Sequence, residues 1–159
     1  MRYDGRMDLA IFNGLQASGK STFYQTRLAS THEHVSKDLL RNNVQPERRQ
    51  RQLIEAALAA GRSVAVDNTN PSPEARAPLI ALGQQYGATI TGYYFASSVA
   101  ECLARNRERQ GRARVPDVAI FATRKRLAPP TYAEGFDAIF FVRITGAGGF
   151  VVEPIGKEA

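Results

Sequence analysis

Short apolar runs alternate along the chain with longer stretches in which apolar and polar residues recur at helical spacing. This alternation is typical of a parallel sheet whose strands are joined by crossover helices. The pattern therefore predicts an α/β fold with a mostly parallel central sheet flanked by helices. The predicted strands are 9–12, 33–36, 63–66, 90–95 and 138–144.

Capping residues and proline indicate where the helices begin. Pro73 follows Ser72, where the missing N–H of a first helical residue costs nothing, and Ser98 and Glu101 have the spacing of a capping box. Residues 146–159 are Gly-rich and weakly patterned, so no element is predicted there. The predicted helical segments are 21–29, a turn from 38, 46–60, 73–86, a helix from 98 into an arginine-rich segment, and a helix from 116.

Composition is that of an ordinary globular protein, with 43% hydrophobic and 23% charged residues. No internal repeat or linker divides the chain, so we expect one domain over residues 1–159. No apolar stretch reaches the ~18 residues that span a bilayer, and Met1 to Asp8 lacks the apolar segment of a secretory signal. A lone cysteine, Cys102, excludes a disulfide framework. We therefore expect a cytoplasmic protein without a membrane partner.

A phosphate-binding loop is the strongest chemical signal. Residues 14–21 read Gly-Leu-Gln-Ala-Ser-Gly-Lys-Ser and lie between a predicted strand and a predicted helix, which is the context that the loop requires. Its backbone N–H groups form a nest for anionic phosphates at a helix N-terminus. Lys20 would reach the β and γ phosphates, the Ser21 hydroxyl suits Mg²⁺, and Thr22 is expected at the α-phosphate. The residues predicted to bind ATP with Mg²⁺ are Gly14, Gln16, Ala17, Ser18, Gly19, Lys20, Ser21 and Thr22.

An acidic and a basic residue follow the second predicted strand. Asp38 and Arg41 are three residues apart, so on a helical turn they lie on one face. Asp38 is a candidate general base for an attacking hydroxyl, and Arg41 is a candidate ligand for an acceptor phosphate. The alternative is a surface salt pair on a short helix, and the spacing does not separate the two interpretations.

Polar residues also follow the third predicted strand, where open α/β sheets present ligand-binding side chains. Asp67 stands directly after the apolar run 64–66, in the position of the strand-end aspartate that orders magnesium in P-loop enzymes. A plain Asx-turn is the alternative, since Pro71 and Pro73 suit a turn. We favour a role for Asp67 at the metal site.

Five arginines fall within ten residues of the segment 105–116. The segment is interrupted at Gly111 and Pro116, which predicts a helix–loop–helix able to close as a lid over a site. A guanidinium over a transferring phosphate stabilises charge in the transition state. A solvated helix face is the alternative, and the pattern does not choose among the five: Arg105, Arg107, Arg109, Arg112 and Arg114.

From Ile11 to about Ile144 the chain resembles the kinase domain of the polynucleotide 5′-hydroxyl kinase family, within the P-loop NTPase superfamily. The similar strings are Val-Asp-Asn-Thr-Asn-Pro at 66–71 and Pro-Pro-Thr-Tyr-Ala-Glu-Gly-Phe at 129–136. The resemblance implies a P-loop kinase fold that transfers the γ-phosphate of ATP to a polynucleotide 5′-hydroxyl. It also implies a role for each of several residues: Asp38 as base, Arg41 as phosphate clamp, Arg109 in the lid, Arg105 against adenine and Asp67 at the magnesium site.

Three departures from the family pattern stand out. Lys37 occupies a position where the family often has arginine, Gln110 resembles an insertion in the lid, and we expect no attached phosphatase domain. We therefore expect a separate phosphatase or ligase partner if the chain takes part in end repair.

Nucleic acid 5′ ends, of DNA or RNA, are the expected partners. Lysine and arginine number 21 against 15 acidic residues, a net charge of +6, which favours phosphate-rich partners. Arg41, Arg48, Arg49 and Arg51 are candidates for backbone phosphates, although they equally suit a solvated helix face. Two rival functions remain: a kinase for a small-molecule hydroxyl, and a non-catalytic nucleotide-binding module.

Other chemistry-bearing residues are interpreted as structural. His32 and His34 lack a partner at metal-ligand spacing, so we interpret them as ordinary surface histidines and propose no zinc site. Cys102 and the run 93–95 are expected to fill the core.

Overall fold

Within residues 6–157, which are the residues that the computed structural model describes, six strands form one sheet. The order across the sheet is β2-β3-β1-β4-β5-β6. The first five strands are parallel, and all five were predicted from the sequence pattern. The strands are β1 Asp8–Gly14, β2 His32–Val35, β3 Ser63–Val66, β4 Thr89–Phe95, β5 Ala138–Ile144 and β6 Phe150–Ile155.

Helices connect the parallel strands and cover the sheet. Ser72 accepts a hydrogen bond from the backbone of Ala75, and Ser98 and Glu101 form the predicted capping box. The helices are α1 Lys20–Phe23, α2 Pro46–Ala59, α3 Pro73–Gln85, α4 Val99–Glu108 and α5 Asp117–Arg126. No helix in the described range is long and apolar enough to cross a bilayer.

The first helix differs from the predicted segment 21–29. After one turn of α-helix it widens into a π-helical segment, Tyr24–Leu28. Such widened turns often occur at functional sites. Here the segment directly follows the phosphate-binding loop and carries Tyr24 against β2.

The sixth strand, β6, lies in the C-terminal segment where no element was predicted. It pairs antiparallel with β5 after a turn in which Thr145 N–H donates to the carbonyl of Gly149. Its residues are half-buried or exposed, and Pro154 is tolerated because β6 is an edge strand. Phe150 packs edge-on against Phe23 with ring centroids 5.3 Å apart, which ties the strand to α1.

The central strand β1 is buried along its whole length, as expected for a parallel strand covered on both faces. Leu9 and Ile11 pack with α2 and α3 on one face. Phe12 lies among aromatic rings on the other, including Tyr93 and Phe95. The predicted core roles of Cys102 and of the run 93–95 are confirmed, with Tyr94 only half-buried.

The interpretation of the two histidines as surface residues was wrong. His32 is 5% exposed and its Nε2 lies 2.8 Å from Asp8 Oδ2, at the start of the sheet. The side chain of His34 is 19% exposed and pairs with Asp67. A buried polar side chain is tolerated when its hydrogen bonds are satisfied. The pairings with Asp8 and Asp67 satisfy the ring nitrogens that face these two aspartates.

Candidate functional site

The phosphate-binding loop leaves the carboxyl end of the central strand and enters α1. Ala17 and Gly19 have positive φ values of 62° and 94°, which bend the backbone into a nest. Gly14 N–H donates to the carbonyl of Thr69 at 3.0 Å, and a Cβ at Gly14 would lie 2.9 Å from that of Phe95. The loop is therefore shaped by close backbone packing that only glycine permits at position 14.

Lys20 folds across the mouth of this loop. Its Nζ donates to the carbonyls of Gly14 at 3.0 Å and Leu15 at 2.6 Å, and lies 3.5 Å from Ser18 Oγ. Burial lowers the pKa of Lys20 from the usual 10.5 to about 8, although the charge of Asp67 partly opposes this shift. A buried ammonium group at this position is a ready partner for an anionic phosphate.

Ser21 and Asp67 bring two hard oxygen ligands together next to Lys20. Ser21 Oγ donates to Asp67 Oδ2 at 2.7 Å, and His34 Nε2 donates to the same oxygen at 2.7 Å. Mg²⁺ is usually held by one or two protein oxygens together with substrate phosphates. The pair therefore fits a magnesium ion bound jointly with a nucleotide.

The segment 67–71 follows β3 and lines the site. Asn68 accepts from the backbone N–H of Lys37 at 2.8 Å. Asn70, at a φ of 40°, donates to the carbonyl of Phe12 at 2.7 Å, and Asn13 donates back to the carbonyl of Asn70. These bonds fix the strand-end loop against the phosphate-binding loop. Among residues 6–157 no backbone N–H donates to the carboxylate of Asp67, so the structure does not show the alternative of a plain Asx-turn there. The role of Asp67 at the metal site stays a prediction.

Asp38 and Arg41 lie on a 3₁₀ turn, Lys37–Leu40, and its following residue. They form a salt bridge of 3.3 Å, with 80% of the Asp38 side chain and 35% of the Arg41 side chain exposed. Arg41 also donates to the carbonyl of Arg112 at 2.7 Å, which links it to the lid. The salt pair that the alternative interpretation predicted is thus present, and both residues also line the central cleft.

That central cleft has a volume of about 720 Å³. It brings together the chemistry-bearing residues that the sequence analysis selected from four separate segments. They are Lys20, Ser21, Asp38, Arg41, Asp67 and Arg109.

The segment predicted to act as a lid consists of the end of α4, a 3₁₀ turn at Gly111–Ala113 and the start of α5. Asn106 on α4 is fully buried and joins the two ends of this segment. Its side chain donates to the carbonyl of Val115 at 2.7 Å and accepts from the N–H of Val115 at 3.0 Å. Sequence analysis passed over Asn106, since a single amide among arginines gives no periodic signal. Arg109 lines the central cleft, whereas Arg107 lines neither this cleft nor its neighbour.

A second cavity of about 390 Å³ also borders the phosphate-binding loop, at Ala17 and Gly19. Thr22 and Arg105 line it together with the apolar side chains of Ile144 and Phe150. Arg105 donates to the carbonyl of Ala17 at 2.9 Å, so its guanidinium is anchored to the loop. The cavity thus combines a charged planar group with apolar walls beside the nucleotide-binding loop.

A fully buried arginine that the sequence analysis missed joins the two strings of the family resemblance. Arg76 is paired with Glu134 through Nε at 2.8 Å and Nη2 at 3.0 Å. Its Nη1 donates to the carbonyls of Asn70 and Ala128, both at 3.0 Å. Glu134 belongs to the string 129–136, and no role was assigned to it from the sequence. An acidic residue within that string was the signal that could have indicated a basic partner elsewhere in the chain.

The fold and this site define a P-loop domain of the kinase type, with its phosphate-binding loop after the central strand of a parallel sheet. The sequence profile of the family described as "AAA domain" matches residues 9–130. The chain belongs to this family.

Similarity to particular proteins confirms the resemblance to polynucleotide kinases. The chain is 29% identical over 138 residues to the bifunctional polynucleotide phosphatase/kinase of Schizosaccharomyces pombe, covering 81% of this chain and 32% of that protein. It thus spans about a third of the length of this curated relative.

Solved structures share the fold. A chain of the Pnkp1/Rnl/Hen1 complex is 25% identical with a TM-score of 0.55, covering 65% of this chain and 40% of that one. A gluconokinase from Sinorhizobium meliloti 1021 has a TM-score of 0.61 at 17% identity, covering 88% of this chain and 85% of that one. The kinase-type P-loop fold is therefore common to proteins with different acceptors.

Proposed function

We propose that this protein is an ATP-dependent kinase that transfers the γ-phosphoryl group of ATP to the 5′-hydroxyl end of a polynucleotide. The observation that carries the proposal is the convergence of Lys20, Asp38, Arg41 and Arg109 on one cleft. A candidate base, a phosphate-binding lysine and two guanidinium groups are the parts that phosphoryl transfer needs.

In the proposed reaction the 5′-hydroxyl oxygen forms a bond to the γ-phosphorus while the bond from that phosphorus to the β–γ bridging oxygen breaks. Asp38 accepts the hydroxyl proton, and ADP leaves with the electron pair of the broken bond. Lys20 and Arg109 stabilise negative charge on the transferring group. Ser21 and Asp67 would hold Mg²⁺, which would supply positive charge to neutralise the phosphates of the nucleotide.

Recognition of a polynucleotide is supported by basic side chains at the cleft. Lys37, Arg41, Arg51 and Arg126 line it, and the net charge of the chain is +6. Positive side chains release counterions from a nucleic acid backbone, so affinity should fall as salt rises. The similarity to a polynucleotide phosphatase/kinase supports the same assignment. A separate phosphatase or ligase would then complete end repair.

A small-molecule acceptor is the second candidate. Four apolar side chains, Pro71, Pro78, Leu79 and Leu82, line part of the cleft. An apolar wall suits a compact ligand as well as it suits a nucleobase. The fold likeness to a gluconokinase keeps this candidate open, because the phosphate-binding loop does not specify the acceptor.

The test is transfer of ³²P from γ-labelled ATP with Mg²⁺ to DNA and RNA oligonucleotides that carry a 5′-hydroxyl, with a panel of sugars and nucleosides in parallel. Asp38→Asn is compared with Glu47→Gln, an isosteric change of another carboxylate that lines the cleft. We expect labelled oligonucleotides with wild type and Glu47→Gln, and a loss of ~10²–10⁴ in kcat for Asp38→Asn. Label on a small molecule alone, with ATP binding intact, would transfer the assignment to the second candidate.

A further inference from the structure

The carboxylate of Asp67 is held on one of its two oxygens. Oδ2 accepts from Ser21 Oγ and from His34 Nε2, each at 2.7 Å, and Asp67 is 5% exposed. Among the described residues 6–157, no donor forms a hydrogen bond with Oδ1. The two bonds therefore leave Oδ1 as the oxygen of Asp67 that a ligand of the cleft can use.

The ring of His34 is itself fixed from behind. It stacks on Tyr24 with centroids 4.2 Å apart and planes 13° apart. The Tyr24 hydroxyl in turn donates to the carbonyl of His32 at 2.6 Å. Because a carboxylate only accepts, Nε2 of His34 carries a proton, and the stack keeps that N–H directed at Asp67.

We propose that His34 is a positioning residue that holds Asp67 in the orientation needed to bind magnesium together with ATP. This inference rests on the nucleotide and metal site of the proposed function, but it does not depend on the acceptor. The Ser21 hydroxyl can donate its proton to Asp67 and still offer lone pairs to a cation. A single hydrogen bond from Ser21 would nevertheless leave the carboxylate of Asp67 free to rotate together with that hydroxyl. His34 holds the carboxylate from a second direction, on a separate strand. Partners of this kind typically contribute 10–100-fold in metal affinity.

The neighbouring His32 is a matched control within the same strand. It also pairs with an aspartate, Asp8, at 2.8 Å, and both partners are buried. Asp8 is the first residue of β1, whereas the phosphate-binding loop begins at its last residue, Gly14. Changing His32 therefore breaks a histidine–aspartate pair of the same kind at the other end of the strand from the site.

The experiment measures ATP binding by titration calorimetry at increasing Mg²⁺, and in EDTA. The variants are His34→Phe, which keeps a ring against Tyr24 but has no donor, His34→Gln, whose amide restores a donor, and His32→Gln. We expect His34→Phe to raise the Mg²⁺ concentration for half-maximal binding about 10–100-fold, with binding in EDTA unchanged. His34→Gln should recover most of this loss, and His32→Gln should match wild type.

In steady-state assays of phosphoryl transfer, His34→Phe is expected to raise KM for MgATP more than it lowers kcat. Wild-type Mg²⁺ dependence in folded His34→Phe would overturn the inference, because the N–H of His34 would then have no effect on the metal site. An equal loss in His34→Gln, or a similar loss of binding in EDTA, would also overturn it, because either result would trace the effect to packing. If His34→Phe fails to fold, His34→Asn, which is too short to reach Asp67, takes its place. The binding assay contains no acceptor. Its result can therefore be interpreted even if the protein does not phosphorylate polynucleotides.

Discussion

Replacing Lys20 by methionine should abolish nucleotide binding while making the free protein more stable. The pKa of Lys20 is lowered from 10.5 to about 8, chiefly because its ammonium group is buried. Each unit of pKa shift corresponds to about 1.4 kcal/mol, so at pH 7 the buried charge costs the folded state about 3 kcal/mol. Methionine removes this cost with a side chain of similar shape.

The gain is reduced by the hydrogen bonds that are lost. Lys20 Nζ donates to the carbonyls of Gly14 and Leu15, and each unsatisfied carbonyl costs about 1 kcal/mol. The net expectation is a stabilisation of about 1–2 kcal/mol at pH 7, or roughly 2–8 °C in Tm for a chain of this size. The burial of the Lys20 ammonium group is thus expected to lower the stability of the free protein.

The stability difference between the two proteins should depend on pH. Between about pH 8 and 10.5 the unfolded chain retains the proton of Lys20 while the folded chain has lost it, so wild-type stability rises with pH in this window. The methionine variant lacks this rise. Its advantage should therefore shrink by about 2 kcal/mol between pH 7 and about pH 9.5.

The assay is urea unfolding of both proteins without nucleotide at the two pH values, with Lys37→Met as the control. Lys37 is partly exposed, with 43% of its side chain accessible, and no comparable gain is expected there. A Lys20→Met protein that is less stable than wild type at pH 7, with a difference that does not change with pH, would refute the reasoning.

Three further changes test other parts of the site. Arg109→Ala should lower phosphoryl transfer about 10³-fold or more, whereas Arg107→Ala, which lines neither cavity, should leave it unchanged in the same steady-state assay. Arg76→Ala should cost about 3–5 kcal/mol in urea unfolding, because it leaves a carboxylate without its buried partner. Gly19→Ala introduces a Cβ 2.8 Å from Ile144 Cδ1 at a φ of 94°, a strain of at least about 1 kcal/mol, and should weaken ATP binding about five- to tenfold in calorimetry.

The parallel strands and the phosphate-binding loop could be predicted because their signals are local. A buried parallel strand is an uninterrupted apolar run, as in β1, and the loop motif occupies consecutive positions. The apolar run and the loop motif can therefore be recognised without knowledge of the tertiary structure. The edge strand β6 lacks such a signal, since its half-exposed residues include a proline and its pairing depends on β5.

The polar pairs that shape the site could not be predicted because they join distant positions. Arg76 and Glu134 are 58 residues apart, and His34 and Asp67 are 33 residues apart. Neither pair leaves a periodic trace, and a histidine on a short strand has the same appearance whether or not an aspartate faces it. No local sequence pattern marks the π-helical segment after α1, which carries the ring of Tyr24 that stacks on His34.

The most direct test of the central claim is a single-turnover reaction with γ-labelled ATP and two oligonucleotides that differ only at their 5′ terminus. One carries a 5′-hydroxyl and the other a 5′-deoxy terminus, which has no acceptor oxygen. We predict that label appears on the first alone, with ADP released in equal amount. The absence of label from both, or the same ADP release with either, would contradict the assignment of this cleft to phosphorylation of a polynucleotide end.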